Sequence, residues 1–252
     1  MDLETLAVQA RTDGTVLVTI ARPEKLNAMN QAFFHELPAV LAGLDADPDV
    51  SVCVITGAGE AFSAGGDIAD FDRLTDTAAY RRQVRLALGA FHAVERAETI
   101  VIAAVNGLAY GGGTELTLAC DLGVASTSAR FAFREVTVGL QPGYGLVRGP
   151  EVIGRAWTRR LALTGEIIDA DQALRLGLVQ QVAAPERLVD DALALAAIIA
   201  AHPTTAVQVG KQFLNRDVAG INEAVEATAL LFTTPEHKQR IRAFLEKSAR
   251  RQ

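Results

Sequence analysis

Short apolar runs and amphipathic stretches alternate along the first two-thirds of the chain. Val16–Ile20 alternates hydrophobic residues with threonine, the period of a half-buried strand, and Arg22-Pro23 ends it. From Asn30 to Asp45 apolar residues recur at helical spacing despite Pro38, as far as Asp47-Pro48. Val50 to Thr56 is a continuous β-branched run, which suits a strand covered on both faces. The spacing predicts a helix over about 78–97, a strand over Ile100–Val105 that breaks at Asn106-Gly107, and a helix over Thr114–Ala119. Leu122–Ala125 and Arg130–Phe133 have strand character. From Arg155 the pattern is helical over 155–163, 170–176, 186–201, 204–215, 221–231 and 235–249, with only Leu178–Val182 extended between. Met1–Gly14 shows no apolar core segment. The expected organisation is an α/β core over residues 1–185, which carries the site, and a helical C-terminal region over 186–252.

Composition removes several function classes. Half of the 252 residues are hydrophobic and 21% are charged, as in globular proteins and unlike disordered chains. A net charge of −6 and a pI of about 5.3 argue against a nucleic-acid partner held through its phosphates. The longest uninterrupted apolar stretch, Ala192–Ala201, rises about 15 Å as a helix, half of what a bilayer requires. No secretory leader is visible in Met1–Gly14. A cytoplasmic protein with no membrane partner is the expectation. Cys53 and Cys120 form no CxxC pair and cannot build a metal cluster, so core packing is expected of both and no metal site.

Candidate chemistry lies in loops that follow strands. In Thr56-Gly57-Ala58-Gly59-Glu60-Ala61-Phe62-Ser63-Ala64-Gly65-Gly66-Asp67, Phe62 stands where a dinucleotide fingerprint needs glycine, and no P-loop lysine follows. Ala61-Phe62-Ser63-Ala64-Gly65 loosely matches a nucleophile elbow, so a serine hydrolase using Ser63 is one reading, with a small residue in a tight turn as the plainer one. In the second loop Gly111-Gly112-Gly113 precedes a helix with Glu115 in its first turn. Amides at a helix start have no internal partner and carry the positive dipole end, and glycine lets a ligand oxygen approach them. One amide from each loop can polarise a thioester carbonyl and hold the enolate oxygen that develops. Glu135, just past Arg130–Phe133, is the third element: two glutamates from different elements can share acid–base work on one water.

With these residues in place the chain resembles the crotonase superfamily, the enoyl-CoA hydratases and isomerases, over essentially its whole length. The resemblance is carried by Arg22-Pro23-Glu24-Lys25-Leu26-Asn27-Ala28, Ala61–Ile68, Ala103–Gly107, Gly111–Leu116, Phe131–Gly139, Pro142-Gly143, Leu163–Glu166 and Ala243–Lys247, the Ala61–Ile68 and Gly111–Leu116 blocks being the most specific. It implies an α/β fold, a spiral of ββα turns with two roughly perpendicular sheets, and a helical C-terminal region used to form a homotrimer or a homohexamer of two trimers. It implies an enoyl-CoA hydratase that adds water to a 2-enoyl-CoA without metal or redox cofactor, coenzyme A being part of the substrate. The Ala64 and Gly112 amides would form the oxyanion hole, Glu115 would activate the water, Glu135 would supply the Cα proton, and Gly143 would help to hold the water. Ala28 and Ala64-Gly65-Gly66-Asp67-Ile68 would line the acyl-CoA site, with Asp67 bracing the loop, and Lys25 and Lys247 would meet phosphates or stay surface lysines.

Family isomerases usually keep only the acid matching Glu135, and dehalogenating or diene-isomerising members carry an aspartate near Gly143 that this chain lacks. Isomerisation or another enolate reaction such as decarboxylation remains the alternative within the fold, and a silent CoA-ester-binding subunit the alternative outside catalysis. Three departures stand out. Arg134 replaces a common proline, and points to solvent, lowers the Glu135 pKa, or meets an acidic acyl group. Phe133 replaces a polar residue and makes the pocket wall greasier. Tyr144-Gly145-Leu146 replaces a Gly-Gly-Thr pattern, with Tyr144 shaping the acyl pocket or offering its phenol to substrate.

Overall fold

The computed structural model describes residues 3–11, 13–72, 77–215 and 239. The helices expected over 221–231 and 235–249, and Lys247, lie outside the described residues. Strands β1 (Leu6–Ala10), β2 (Thr15–Ile20), β3 (Val52–Gly57), β5 (Ile100–Val105), β7 (Leu122–Ser126) and β10 (Gln181–Ala183) form a sheet in the order β1-β2-β3-β5-β7-β10. All neighbours are parallel except β1 and β2, which pair antiparallel with Leu6 opposite Ile20. A second sheet, β4-β6-β8-β9, is built from β4 (Ala61–Ser63), β6 (Leu108–Tyr110), β8 (Arg130–Ala132) and β9 (Ile168–Asp169), with only β8 and β9 antiparallel. Each of β3-β4, β5-β6 and β7-β8 gives one strand to each sheet before the chain turns into a helix, which is the ββα spiral.

The helices are α1 (Gln31–Asp45), α2 (Ile68–Asp72), α3 (Thr77–Arg96), α4 (Gly112–Ala119), α5 (Gly143–Gly149), α6 (Arg155–Thr164), α7 (Ala170–Leu176), α8 (Leu188–Ala200) and α9 (Thr204–Leu214). Asn30 caps α1, its side-chain oxygen accepting from the Phe33 N–H at 3.0 Å. The unbroken apolar runs of β3 and β5 have a simple cause. Cys53, Ile55, Val101 and Ala103 belong to the core built with α1 and α3, while Val52, Val54, Ile100 and Ile102 pack with Leu188, Ala192 and Ala196 of α8. Successive residues of a strand face opposite sides, so burial on both faces demands hydrophobic residues throughout.

The strands absent from the expectation are short or nearly uncovered. In β1 only Leu6 is buried, and β4, β6 and β9 have two or three residues, too few for a period to register. No single helix among the described residues is long and apolar enough to cross a membrane.

Helix α9 is fastened by a buried lysine. Lys211 Nζ donates to Val94 O (3.1 Å) and Thr99 O (2.8 Å) and pairs with Asp121 at 2.8 Å, so all three of its protons are used. Lys211→Met removes the charge and leaves Asp121 buried beside apolar carbon. Losing one partner of a buried pair costs about 3 kcal/mol or more, so urea unfolding of K211M is expected to show a midpoint well below that of the wild type; an unchanged midpoint would refute this account of the fastening.

Candidate active site

Before any reactive group is placed, two loops are stitched together. After β2 the chain makes a 3-10 turn over Pro23–Lys25, and Leu26 and Asn27 then take positive φ (50° and 56°). Asn27 is fully buried and its side chain holds that conformation: Nδ2 donates to the Ala58 (2.9 Å) and Ala61 (2.7 Å) carbonyls, and Oδ1 accepts from the Arg22 N–H (3.0 Å). Residues 28–29 are thereby laid beside 65–67. The Met29 N–H donates to Gly65 O (2.8 Å), the Asp67 N–H donates to Met29 O (2.9 Å), and the Asp67 carboxylate pairs with Arg22 at 3.0 Å. Asp67 is thus a brace of the loop. Ala28 is buried at this junction, and Lys25 and Ile68 are exposed.

The hydrolase reading fails at Ser63. Its hydroxyl is fully buried, donates to Asn27 O (2.8 Å) and accepts from the Gly65 N–H (3.1 Å), and no histidine pairs with it among the described residues. The group that would be the nucleophile is a structural clamp.

The second loop is built around glycine. Gly111 has φ +50°, and a Cβ there would lie 2.7 Å from Glu135 Oε1; at Gly113 a Cβ would lie 2.5 Å from Ser63 O. Neither position has room for a side chain. The Thr114 hydroxyl donates to Ala109 O (2.6 Å) and receives the Ala132 N–H (3.2 Å), fastening the start of α4 to β6 and β8. Gly112 opens α4, where an amide has no carbonyl of its own helix to meet, and its N–H has no partner among the described residues. Gly65 comes up against it: a Cβ on Gly65 would lie 3.2 Å from Gly112 N.

The structure therefore brings residues 64–65 and 112 together, yet the two expected oxyanion donors are not equivalent. The Ala64 N–H donates to Leu26 O at 2.9 Å, because the left-handed turn at Leu26 aims that carbonyl at it. Of the two, the Gly112 amide is the one without a partner among the described residues.

Both glutamates meet at this helix start. Glu115 is buried, 6% exposed, and its Oε1 accepts the Gly145 N–H at 2.9 Å. Burial holds its pKa above the usual carboxylate range, and the Gly145 and Tyr144 amides offset only part of that rise. Glu135 opens the 3-10 turn Glu135–Val138 after β8, and its Oε2 is buried with no hydrogen-bond partner. Burial first, and then the charge of Glu115, push its pKa up to about 7. Burial raises both carboxyls; on Glu115 two amides work against the rise, while on Glu135 the charge of Glu115 adds to it.

The structure places three further residues that the sequence singled out. Arg134 does not lower Glu135: its Nη1 donates to Gly165 O at 2.8 Å, and the glutamate rises. Tyr144, expected to shape the acyl pocket or to offer its phenol to substrate, has its hydroxyl on the side away from Glu115 and Glu135. Its ring packs edge-on against Phe91 (centroids 5.5 Å apart), and its hydroxyl is buried beside Glu95 and Arg148 without a hydrogen bond of normal geometry. Gly143 opens α5 with its Cα turned to Leu88, and the amides that reach Glu115 are those of Tyr144 and Gly145. Sequence reasoning missed Gly145 as a contact of Glu115; the only trace of it is a second glycine two residues after Gly143.

A separate cavity of about 560 Å³ opens behind α4 between Glu95, Arg148, Asp121 and Lys211. Its charges are matched within its own walls, Arg148 to Glu95 at 2.7 Å and Lys211 to Asp121 at 2.8 Å, and neither Glu115 nor Glu135 lines it.

Known proteins match this chain over nearly its whole length. A probable enoyl-CoA hydratase of Rhizobium meliloti is 38% identical, the match spanning 98% of this chain and 97% of that protein. A short-chain-enoyl-CoA hydratase of Clostridium acetobutylicum is also 38% identical, over 92% and 91% of the two chains. The crystal structure of an enoyl-CoA hydratase from Mycobacterium smegmatis superposes with a TM-score of 0.92 at 32% identity, covering 97% of each chain. The sequence profile of the enoyl-CoA hydratase/isomerase family matches residues 10–251. By sequence, fold and the order of its glycine loops and glutamates, this chain belongs to the enoyl-CoA hydratase/isomerase family.

Proposed function

We propose that this protein is an enoyl-CoA hydratase that adds water across the double bond of a 2-enoyl-CoA thioester. The observation that carries the reading is the unequal pair at the start of α4: Glu115 with amide donors on its carboxylate, Glu135 with an unpartnered buried oxygen and a pKa near 7. A bound thioester oxygen lies against the Gly112 amide, joined by the Ala64 amide when its bond to Leu26 gives way. Glu115 takes a proton from water as the water oxygen bonds to Cβ, and the π electrons move to the carbonyl, whose enolate oxygen the amides hold. Glu135 then gives its proton to Cα. The two carboxyls finish with their charges exchanged, and a proton passed between them restores the start. No electrons leave the substrate, so the reading calls for no redox cofactor; the amides and the two carboxyls take the parts a metal would otherwise play, and coenzyme A enters only as part of the substrate.

The remaining features fit the same reading. Val138, Leu140, Val147, Leu163 and Ile167 are exposed on adjoining elements, an apolar surface that supports assembly into a trimer or a pair of trimers. The free thiols of Cys53 and Cys120 suit a reducing, cytoplasmic setting. The test is to incubate crotonyl-CoA with the enzyme in heavy-oxygen water and analyse the product by mass. The expected product is 3-hydroxybutyryl-CoA with the label at Cβ; unlabelled 3-enoyl-CoA would replace hydration by isomerisation.

A further inference from the structure

Gly145 is pressed into place from one side. A Cβ on this residue would lie 2.7 Å from both Cε1 and Cζ of Phe133 and 3.1 Å from Pro142 Cβ. The Phe133 ring is fully buried at the end of β8, two residues before Glu135, and Gly145 is the residue whose N–H reaches Glu115 at 2.9 Å. The ring thus packs directly against the Cα of the residue whose amide meets the carboxylate. On the neighbouring residue the Tyr144 ring, wedged against Phe91, limits rotation of the same turn. Interiors packed this closely transmit a change of one methylene.

We propose that Phe133 is a positioning residue for hydration: its ring fills the space over Gly145 and holds that amide against the Glu115 carboxylate. The inference rests on the reading of Glu115 as the group that takes the proton of water. Phe133 touches neither water nor Glu115 in this account; it acts through Gly145.

The charged and titratable groups on the elements packed against α4 are few on this side. Among the described residues they include Glu135 beyond β8, Arg130 on β8, Tyr110 on β6, and Glu95 of α3, which pairs with Arg148 of α5 at 2.7 Å and lies 3.4 Å from His92. Glu135 keeps its side chain in variants at 133 or 145 and titrates together with Glu115, so the limbs of the pH profile belong to the pair. A shift of the acidic limb in such variants therefore reports the amide contact. Loss of an N–H that favours the carboxylate makes Glu115 harder to ionise, so the acidic limb of kcat/KM must move to higher pH.

The experiment compares pH profiles of crotonyl-CoA hydration for the wild type, Phe133→Leu, Gly145→Ala and the double variant, with Glu115→Gln as reference. Phe133→Leu removes the far edge of the ring; Gly145→Ala puts a methyl into it. Each single variant is expected to move the acidic limb up by about one pH unit, a tenfold loss of kcat/KM on that limb, with KM unchanged. In the double variant the alanine methyl fills space vacated by the ring, and the limb is expected to return toward its wild-type position. Such a return is not produced by two merely destabilising changes, which would add. Melting temperatures recorded alongside separate folding defects from the shift, and if Phe133→Leu does not fold, Gly145→Ala and the double variant carry the comparison. Acidic limbs that stay in place in both single variants, with Glu115→Gln inactive, overturn the positioning role and leave the hydratase reading intact. Full activity of Glu115→Gln overturns both.

Discussion

Glu135→Gln is expected to lower kcat for crotonyl-CoA hydration by about 10²- to 10⁴-fold, the usual share of one well-placed general acid. The amide of glutamine fits the same space between Gly111 and the 3-10 turn but cannot deliver a proton to Cα. The pH profile adds a second readout. With the Glu135 pKa at about 7, wild-type activity falls as pH rises through that value, because the protonated acid disappears. Two interacting carboxyls titrate as a pair, so the observed midpoints belong to both together. In Glu135→Gln the alkaline fall that belongs to this acid is expected to vanish.

The same substitution should stabilise the fold above neutral pH. A carboxyl whose pKa is raised on folding binds its proton more tightly in the folded state. Stability is therefore fullest below the unfolded value, near 4.5, and is lost as pH rises toward about 7. Glutamine has no charge to bury. Relative to wild type, Glu135→Gln is expected to gain stability at pH 8, on the order of 3 kcal/mol at most, and nothing at pH 4. An equal melting temperature at both pH values, or a loss at pH 8, would contradict the strained burial of this acid. An activity lost together with stability gained is the pattern of a group kept for its chemistry.

The second large effect is at Glu115. Glu115→Gln keeps an oxygen to accept the Gly145 N–H but cannot take a proton from water, and hydration is again expected to fall by about 10²- to 10⁴-fold. What separates the two glutamates is the partial reaction at Cα. With saturated butyryl-CoA in deuterated water there is no Cβ addition, and exchange of the Cα hydrogen needs only the amide-stabilised enolate and the group facing Cα. Exchange is expected to persist in Glu115→Gln and to be lost in Glu135→Gln. The reverse result would exchange the two roles, and persistence in both variants would remove the pair from the reaction.

Much of this was legible in the chain. The runs at Val50–Thr56 and Ile100–Val105 marked doubly covered strands because an interior position on either face tolerates only apolar side chains. Gly111-Gly112-Gly113 with Glu115 marked a helix start with close backbone approach, and Gly111 and Gly113 do lie where a Cβ would strike Glu135 and Ser63. The convergence of Glu115 and Glu135 followed from family resemblance rather than from spacing, since twenty residues and two strands separate them. The short strands β4, β6 and β9 left no pattern, because a two- or three-residue strand is stabilised by its neighbours and not by its own period.

The chain supplies the parts: two carboxyls, three consecutive glycines, and apolar runs that force a doubly covered parallel sheet. Folding sets their state. Ser63 became a clamp because Asn27 O and the Gly65 N–H closed on its hydroxyl, and Ala64 lost its free amide to the Leu26 carbonyl. Tyr144 turned its ring toward Phe91 and left its amide, with that of Gly145, on Glu115. The physical reason is common to all of these. A buried polar group must find its partner among whatever the fold brings within about 3 Å, and that neighbourhood is assembled from segments far apart in the chain, so its hydrogen bonds and the proton affinities they set exist only once the chain has folded.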